Sequence, residues 1–174
     1  MSFSIEEWRP GSSSDLDQMA EVLLEAVHGG SSVSFVFPFS FEDARRFWSE
    51  TVMPDVSNGG VRAYVARVDG QIVGTALLCL AMPPNQKHRA SVAKMLVHPR
   101  ARRQGIARAL MVRVEQVAKE EGKTLLTLDT HSGSAAERLY ESLGFVVMGV
   151  IPRFSKAVDS DELQDATFFY KELT

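Results

Sequence analysis

Residues 91–110 read SVAKMLVHPRARRQGIARAL and contain the pattern that decides the fold. The first part, residues 92–97, is apolar and partly β-branched, which predicts a strand. Pro99 lacks the N–H that would continue a strand ladder, and from Ile106 onward apolar residues recur at helical spacing. The stretch therefore predicts a strand, a turn and a helix that begins near Gly105.

The start of this predicted helix is suited to binding an anion. The first backbone N–H groups of a helix have no partner within the helix, and the positive end of its dipole lies there. Guanidinium groups match phosphate oxygens in a bidentate way, so a phosphate group is the simplest ligand. In a chain whose net charge is −3, the turn carries Arg100, Arg102, Arg103 and Arg108. A solvated, arginine-rich helix start without a ligand is the alternative interpretation.

Two common phosphate motifs, GxxxxGK(S/T) and GxGxxG, do not occur at this turn. The turn instead resembles the pyrophosphate-binding motif (Q/R)-x-x-G-x-(G/A) of the GCN5-related N-acetyltransferase (GNAT) family, with matches at Arg102, Gly105 and Ala107. The preceding residues 96–99, Leu-Val-His-Pro, also fit. In that family the loop wraps the pyrophosphate of acetyl-CoA, and the strand before it pairs with the pantetheine arm.

The resemblance implies acetyl-CoA as cosubstrate and a specific set of contacts. Arg102 is expected to reach a phosphate with its side chain, while residues 103–108 contribute mostly backbone amides. Ser134 stands near the position where the family often has an asparagine that contacts the cofactor. The implied contacts are Met95, Leu96, Val97, Arg102, Arg103, Gln104, Gly105, Ile106, Ala107, Arg108 and Ser134.

Length and composition favour a single domain over residues 1–174, since 45% hydrophobic residues suffice for one core. A pI near 5.8 argues against a protein that follows nucleic acid over its whole surface. No aromatic residues interleave the arginines to stack bases, so we expect no nucleic-acid partner. No signal peptide and no run of about 18 apolar residues is visible, which predicts a cytoplasmic protein without a membrane partner.

Metal binding and disulfide formation are not predicted. The histidines at positions 28, 88, 98 and 131 are scattered singly, so no metal-ligand spacing occurs and we expect no metal. Cys79 is the single cysteine and lies in an apolar run, which indicates a buried strand residue, with a nucleophilic role as the alternative.

The rest of the chain follows the order of the same family. Strands are predicted at residues 4–9, 61–68, 71–80, 89–97, 124–130, 145–150 and 167–173, and helices at 14–28, 41–53, 106–121 and 135–143. Asp69-Gly70 indicates a tight hairpin, and Ser134 with Glu137 indicates a capping box. The resemblance implies an α/β (α+β) GNAT fold: a mixed central sheet of about six to seven strands flanked by about four helices.

Acetyl transfer to an amine needs a neutral amine, donors for the oxyanion and a proton for the thiolate. The resemblance assigns the last role to Tyr140, which precedes Leu-Gly-Phe at residues 143–145; the alternative is a tyrosine that only packs under Phe145. An oxyanion donor is expected from a backbone N–H near residues 95–97, if the strand is bulged there.

The general base is less defined, because many relatives place a glutamate on the strand before the pyrophosphate loop and this strand carries Lys94 instead. Asp129 is the first candidate to orient or deprotonate the amine, with His131 next. Either residue would alternatively cap the following helix. The loop at residues 30–40 either covers a pocket or packs, and a second polar loop is expected at residues 152–165.

Together these features predict an N-acetyltransferase that moves an acetyl group from acetyl-CoA directly to a small-molecule amine. Residues 27–30 and 128–130 resemble the tabtoxin resistance branch of the family, which favours an amino-acid-like, toxin or antibiotic acceptor. The alternative function is a CoA-binding regulatory module without catalysis. A monomer and a homodimer are both compatible with the sequence.

Overall fold

The structure, a computed structural model, describes residues 2–174 and contains a seven-stranded sheet with helices on both faces. The strands are β1 Ser4–Trp8, β2 Val61–Val68, β3 Gln71–Cys79, β4 Arg89–Val97, β5 Leu125–His131, β6 Val146–Lys156 and β7 Leu163–Glu172. The helices are α1 Ser13–His28, α2 Phe41–Arg46, α3 Met53–Ser57, α4 Ile106–Glu120 and α5 Ala135–Ser142, with a π-helical segment, Phe47–Val52, between α2 and α3. This is the mixed sheet and helix arrangement that the sequence predicts.

The strands follow the order β1-β2-β3-β4-β5-β7-β6, and every neighbouring pair is antiparallel except β4 and β5. Parallel strands need a long crossover connection, and α4 supplies it. The β4–β5 ladder contains only three pairs, Arg89–Leu125, Ala90–Leu126 and Ser91–Thr127. Beyond them β4 stays paired with β3 and β5 with β7, so the sheet splits in its middle.

Apolar side chains cover both faces of the sheet. One core lies under α4 and α5, and the other lies under α1, α2 and the π-helical segment. Two buried tryptophans belong to the second core, and the Trp48 indole N–H donates to the Met19 carbonyl at 2.9 Å. No helix in residues 2–174 is both long and apolar enough to cross a membrane.

A β-bulge interrupts β4 at Lys94. Thr75 pairs with Leu96 and Leu77 pairs with Ala93, so two residues of β4 face one residue of β3. Lys94 has a positive φ of 47°, and the fully buried Thr75 donates its hydroxyl to the Lys94 carbonyl at 2.9 Å. The bulge that the resemblance implied is therefore present, and bulges bend a strand and re-aim its side chains.

The structure corrects two details of the helices. The first helix begins at Ser13, one residue before its predicted start, and the side chain of Ser12 caps it by accepting the N–H of Asp15 at 3.1 Å. The second predicted helix does not end at Pro54, because the π-helical segment leads directly into α3 and Pro54 falls in its first turn. A first-turn proline costs little, since its missing N–H would have no partner there.

The predicted polar loop at residues 152–165 is also wrong in extent. β6 continues through Pro152 to Lys156, and only residues 157–162 remain as a turn before β7. Arg153 has a φ of 56° within a second irregularity, and its N–H donates to the Asp165 carboxylate at 2.8 Å. β6 lies at the edge of the sheet, where a strand tolerates proline.

Gly74 on β3 permits the close approach of α4, and this contact generates a test of the fold. A Cβ at Gly74 would meet the Leu96 carbonyl at 3.0 Å and side-chain atoms of Leu110 and Ile106 at 3.2 and 3.3 Å. Gly74→Ala is expected to lower the free energy of unfolding by about 1–3 kcal/mol, measured by urea titration.

Gly149→Ala is the matched control, because Gly149 is also a strand glycine and a Cβ there meets nothing within 4 Å. Its stability should stay within about 0.5 kcal/mol of the parent protein. Equal stability of the two variants would show that α4 does not press on Gly74.

Candidate active site

The split between β4 and β5 opens a cavity of about 690 Å³. Its walls come from the separated ends of both strands, the beginnings of α4 and α5, and the segment after α1. The predicted site residues that line it are Met95, Leu96, Val97, Arg102, Arg103, Gly105, Ile106, Ala107, Arg108, Ser134, Asp129 and Tyr140. One predicted contact, Gln104, does not line the cavity. The cavity brings together predicted site residues as far apart in the chain as Met95 and Tyr140.

The beginning of α4 presents unpaired backbone donors to this cavity. Gly105 is the N-cap residue with a φ of 82°, and no side chain caps the helix. The first helical bond runs from the Ala109 N–H to the Gly105 carbonyl at 3.0 Å. Within residues 2–174, the amides of residues 103–108 donate no hydrogen bond. Such a concave group of amides at a helix N-terminus attracts anions.

The side chains around this turn divide into two groups. Arg102 is exposed, and its Nε donates to the Val97 carbonyl at 3.2 Å at the rim of the cavity. Arg108 instead donates to the Ser142 hydroxyl at 2.7 Å, so its guanidinium lies along α5. Gln104 turns back over the preceding turn, with Nε2 3.5 Å from the Arg100 carbonyl, so only its backbone amide remains as the predicted contact.

Tyr140 both packs in the core and borders the cavity. Its ring is 5% exposed and lies 5.9 Å from the Phe145 ring and 5.7 Å from the Phe169 ring, centroid to centroid. Burial, and secondarily the negative charge of Asp129, raise the pKa of Tyr140 to about 12. The phenol therefore keeps its proton at neutral pH, so the two interpretations made from sequence, packing and proton donation, are compatible.

Asp129 stands near the end of β5 without a structural partner. Its carboxylate accepts no hydrogen bond and forms no ion pair with any residue in the described range 2–174. Partial burial raises the pKa of Asp129, while the positive charge of Lys94 opposes that rise. His131, two residues further along β5, also has a polar atom without a partner: its Nδ1 is buried and makes no hydrogen bond with any described residue.

The alternative of a helix-capping role is wrong for both residues, since Ser134 occupies the N-cap position of α5. The predicted capping box is wrong as well. Ser134 makes no capping bond, and its hydroxyl lies 3.3 Å from that of Thr130. Glu137 accepts the N–H of Gly133 at 3.0 Å and the hydroxyl of Thr167. The tertiary contact with β7 draws the glutamate away from the cap.

A second cavity of about 220 Å³ adjoins the first, and Asp129, Thr130 and His131 line both. Its other walls are residues 154–156 of β6 and part of the segment after α1. The loop at residues 30–40 therefore does both things considered from sequence: it lines cavities and it packs, with Phe35 4.6 Å from Phe39. The sequence analysis did not predict this second cavity and gave no role to Lys94. The available signal for Lys94 was its position as a lone cation among the apolar residues of a strand.

Among the described residues, no group of three or more His, Cys, Asp or Glu side chains is arranged to hold a metal ion.

Comparisons with known proteins agree with this geometry. A family model described as "Acetyltransferase (GNAT) family" matches residues 24–145. An uncharacterized N-acetyltransferase of the hisH-hisA intergenic region of Azospirillum brasilense is 34% identical over 118 residues, covering 66% of this chain and 67% of that protein. N-acetyltransferase 8 of Rattus norvegicus is 33% identical over 131 residues, covering 67% of this chain. The matched segment spans about three fifths of the rat protein, 59% of its length.

Solved structures show the same fold. An N-acetyltransferase from Staphylococcus aureus Mu50 superposes with a TM-score of 0.81 at 20% identity and full coverage of both chains, 100% each. The Salmonella typhimurium protein yncA, solved with its cofactor acetyl-CoA, superposes with a TM-score of 0.77 at 20% identity, covering 100% of this chain and 95% of that one. The family model and these relatives identify an acetyltransferase. The chain belongs to the GNAT family.

The isolation of Asp129 leads to a prediction about stability. Asp129 is exposed on the cleft surface, but its carboxylate is desolvated enough to raise its pKa and makes no hydrogen bond. Asp129→Asn should therefore leave the Tm at neutral pH equal or slightly higher. Because folding raises the pKa of Asp129, its ionised form lowers the stability of the wild-type protein at neutral pH. As the pH falls through that pKa the carboxylate takes up a proton, and the stability advantage of the variant disappears. Thermal unfolding over a pH series measures this.

Asp15→Asn is the control, because the Asp15 carboxylate accepts from the Arg67 guanidinium at 2.8 Å and lies mostly buried. That variant should lose about 1 kcal/mol or more. A clear loss of Tm in Asp129→Asn at neutral pH would mean that Asp129 has a structural partner after all.

Proposed function

We propose that this chain transfers the acetyl group of acetyl-CoA directly to the amine of a small molecule. The observation that carries the proposal is the split in the sheet. The cavity in this split is lined at one end by the unpaired amides at the start of α4 and also by Asp129 and Tyr140. The family and the fold support this reading, and the acetyl-CoA in the yncA structure belongs to a protein of the same fold.

The residues present fit the cosubstrate along its length. The amides of residues 103–108 and the Arg102 guanidinium would receive the pyrophosphate. Beyond Ser91, β4 has no strand partner on the side of β5, so the backbone of residues 95–97 would pair with the amides of the pantetheine arm. The bulge at Lys94 would turn a nearby N–H toward the thioester oxygen, and Ser134 lies on the opposite wall.

In the proposed reaction the amine nitrogen attacks the thioester carbonyl, a C–N bond forms and the C–S bond breaks. Asp129 would take the proton that the amine loses, and His131 is the next candidate for this role. Tyr140 would donate to the departing sulfur, which otherwise leaves as a thiolate.

The raised pKa of Tyr140 limits how it donates. That pKa is about 12, whereas an ordinary thiol has a pKa of about 8.5. Full transfer of the proton to such a thiolate would cost about 5 kcal/mol. Tyr140 therefore acts first through a hydrogen bond to the sulfur, and the proton follows as burial raises the pKa of the thiol too.

The acceptor is proposed to be compact. The smaller cavity holds about 220 Å³, below the ~300–1,000 Å³ of pockets for drug-sized ligands. A carboxylate at its boundary attracts a protonated amine before the reaction. These features, with the tabtoxin-resistance likeness at residues 27–30 and 128–130, favour an amino-acid-like, toxin or antibiotic acceptor.

A screen of amines tests the function. Purified protein with acetyl-CoA and a panel of amino acids, polyamines, aminoglycosides and short peptides should release thiol with at least one compact amine. Mass spectrometry of that product should show one added acetyl group. Tight binding of acetyl-CoA by calorimetry with no thiol release across the panel would favour the alternative, a CoA-binding regulatory module.

Gly105→Ala tests the pyrophosphate position. Gly105 and Gly122 both have a left-handed φ, 82° and 70°, and a Cβ meets nothing within 4 Å at either. Alanine at either position should cost about 1 kcal/mol of stability from backbone strain. Only Gly105→Ala should also weaken acetyl-CoA binding, by about 10- to 100-fold, because the loop amides shift away from the phosphates. Calorimetry that gave the two variants one and the same affinity would place the pyrophosphate elsewhere.

Tyr140→Phe tests the proton donor. The phenyl ring keeps the packing against Phe145 and Phe169, so stability and acetyl-CoA affinity should change little. The kcat should fall by about 10²–10⁴-fold, measured under conditions where chemistry limits the rate. Wild-type turnover in this variant would remove Tyr140 from the reaction.

A further inference from the structure

Lys94 is a half-buried cation that lines the larger cavity, but the proposed cofactor contacts and proton transfers give its side chain no direct part. It lies on the β4 bulge, and its side chain crosses to the segment that follows α1. Nζ donates to the Val33 carbonyl at 3.0 Å and lies 3.4 Å from the Ser34 hydroxyl. It also lies over the rings of Phe35 and Phe47, at 5.5 and 5.4 Å from their centroids.

These contacts replace the ion pair that a buried ammonium normally needs. Lys94 forms no salt bridge with a carboxylate among residues 2–174. Burial lowers its pKa, and Asp129 is the carboxylate whose charge opposes that shift. A carbonyl, a hydroxyl and two aromatic faces together stabilise a cation that has left water.

The segment that Lys94 contacts, residues 31–36, is called here the acceptor loop because it lines both cavities. Hydrogen bonds hold its ends: the Ser31 N–H donates to the Ala26 carbonyl at 3.0 Å, and the N–H of the next residue, Phe37, donates to the Val158 carbonyl at 2.8 Å. Between those bonds, no backbone amide of residues 32–36 donates to a described residue. Ser32 and Ser155 approach through their hydroxyls at 3.3 Å.

The middle of the acceptor loop therefore depends on Lys94 and on the packing of Phe35. A continuous chain of contacts leads there from the sheet. Thr75 holds the Lys94 carbonyl, the bulge projects the side chain out of the pleat, and the ammonium holds the Val33 carbonyl. The sheet and the wall of the acceptor cavity are thus joined through one side chain.

We propose that Lys94 is a positioning residue that holds the acceptor loop in the conformation that binds the acceptor amine. The inference rests on the proposed function for its catalytic readout, but the docking of the loop is measurable without any acceptor. Lys94 touches neither reacting atom in this role; it acts through the loop.

Two variants separate the ammonium from its stem. Lys94→Met keeps an unbranched side chain of similar length and removes the charge, whereas Lys94→Arg keeps a cation that donates and stacks on aromatic rings. Lys123→Met is the matched control, because the Lys123 ammonium also donates to a backbone carbonyl, that of Lys87 at 2.8 Å, but outside the cleft.

Hydrogen exchange by mass spectrometry on the unliganded protein measures the loop. Within residues 31–37 the amides of Ser31 and Phe37 donate hydrogen bonds, so measurable protection resides at these two ends of the loop. Lys94→Met should raise exchange at these two amides and leave the α4 peptides unchanged. Lys94→Arg should restore most of the protection, and Lys123→Met should leave residues 31–37 unaffected. Unchanged exchange at residues 31–37 in a folded Lys94→Met protein would overturn the proposal, whatever the enzyme acts on.

Kinetics then test the consequence with whichever amine the screen identifies. Lys94→Met should raise the acceptor KM by about 10- to 100-fold, with acetyl-CoA affinity within about twofold of the parent. A variant with altered exchange but an unchanged acceptor KM would overturn the link between the loop and acceptor binding. A screen that finds no acceptor contradicts the proposed function and leaves the exchange result to decide the docking by Lys94.

Discussion

The parallel ladder between β4 and β5 ends after three residue pairs, and the site depends on that break. Each backbone N–H or C=O that loses its partner away from water costs about 1–3 kcal/mol, so two long unpaired strand edges do not persist in a core without a partner. The bulge at Lys94 bends β4 away, while β7 holds β5 along its full length. A ligand with its own amides, placed between the strands, completes the hydrogen bonding that the sheet leaves open.

The break also determines where charge can sit. α4 begins at the end of β4, so its unpaired amides face the cleft, and α5 begins at the end of β5, which brings Tyr140 to the opposite wall. Gly74 lets α4 lie directly on the sheet, and a Cβ there would already touch a carbonyl at 3.0 Å. The proposed anion-binding end of the cleft is therefore positioned by the packing of α4 on the sheet, and the wall that carries Tyr140 is positioned by α5.

Most of the fold was predictable because its signals are local. The Asp69-Gly70 hairpin, the helix after Gly105 and the order of elements follow from turn chemistry and periodicity, and the structure confirms them. The details that failed are those in which a distant group competes with a local rule: Glu137 turns to Thr167 instead of capping α5, and β6 runs through Pro152 because it is an edge strand.

The two halves of the site differ in the same way. The proposed cofactor half lies in one contiguous stretch, residues 95–108, apart from Ser134, so a motif reveals most of it, although Gln104 shows that a motif does not say which side chains turn inward. The proposed acceptor half is assembled from the acceptor loop, the end of β5 and residues 154–156 of β6. No spacing in the chain links these three segments, and the proposed role of Lys94 depends on a bulge that sequence periodicity does not report.

The charges in the cleft are coupled in a way that suits the proposed order of events. Burial raises the pKa of Asp129, and the negative charge of Asp129 contributes to the raised pKa of Tyr140. In the proposed reaction, acetyl-CoA in the larger cavity would exclude water, which would strengthen both effects and make Asp129 a better base. If Asp129 takes the proton of the amine as proposed, its negative charge is lost, and with it the smaller of the two causes that raise the pKa of Tyr140, burial being the larger. The phenol would then be a somewhat stronger acid at the step in which the thiolate leaves, so acceptance of the first proton would favour donation of the second.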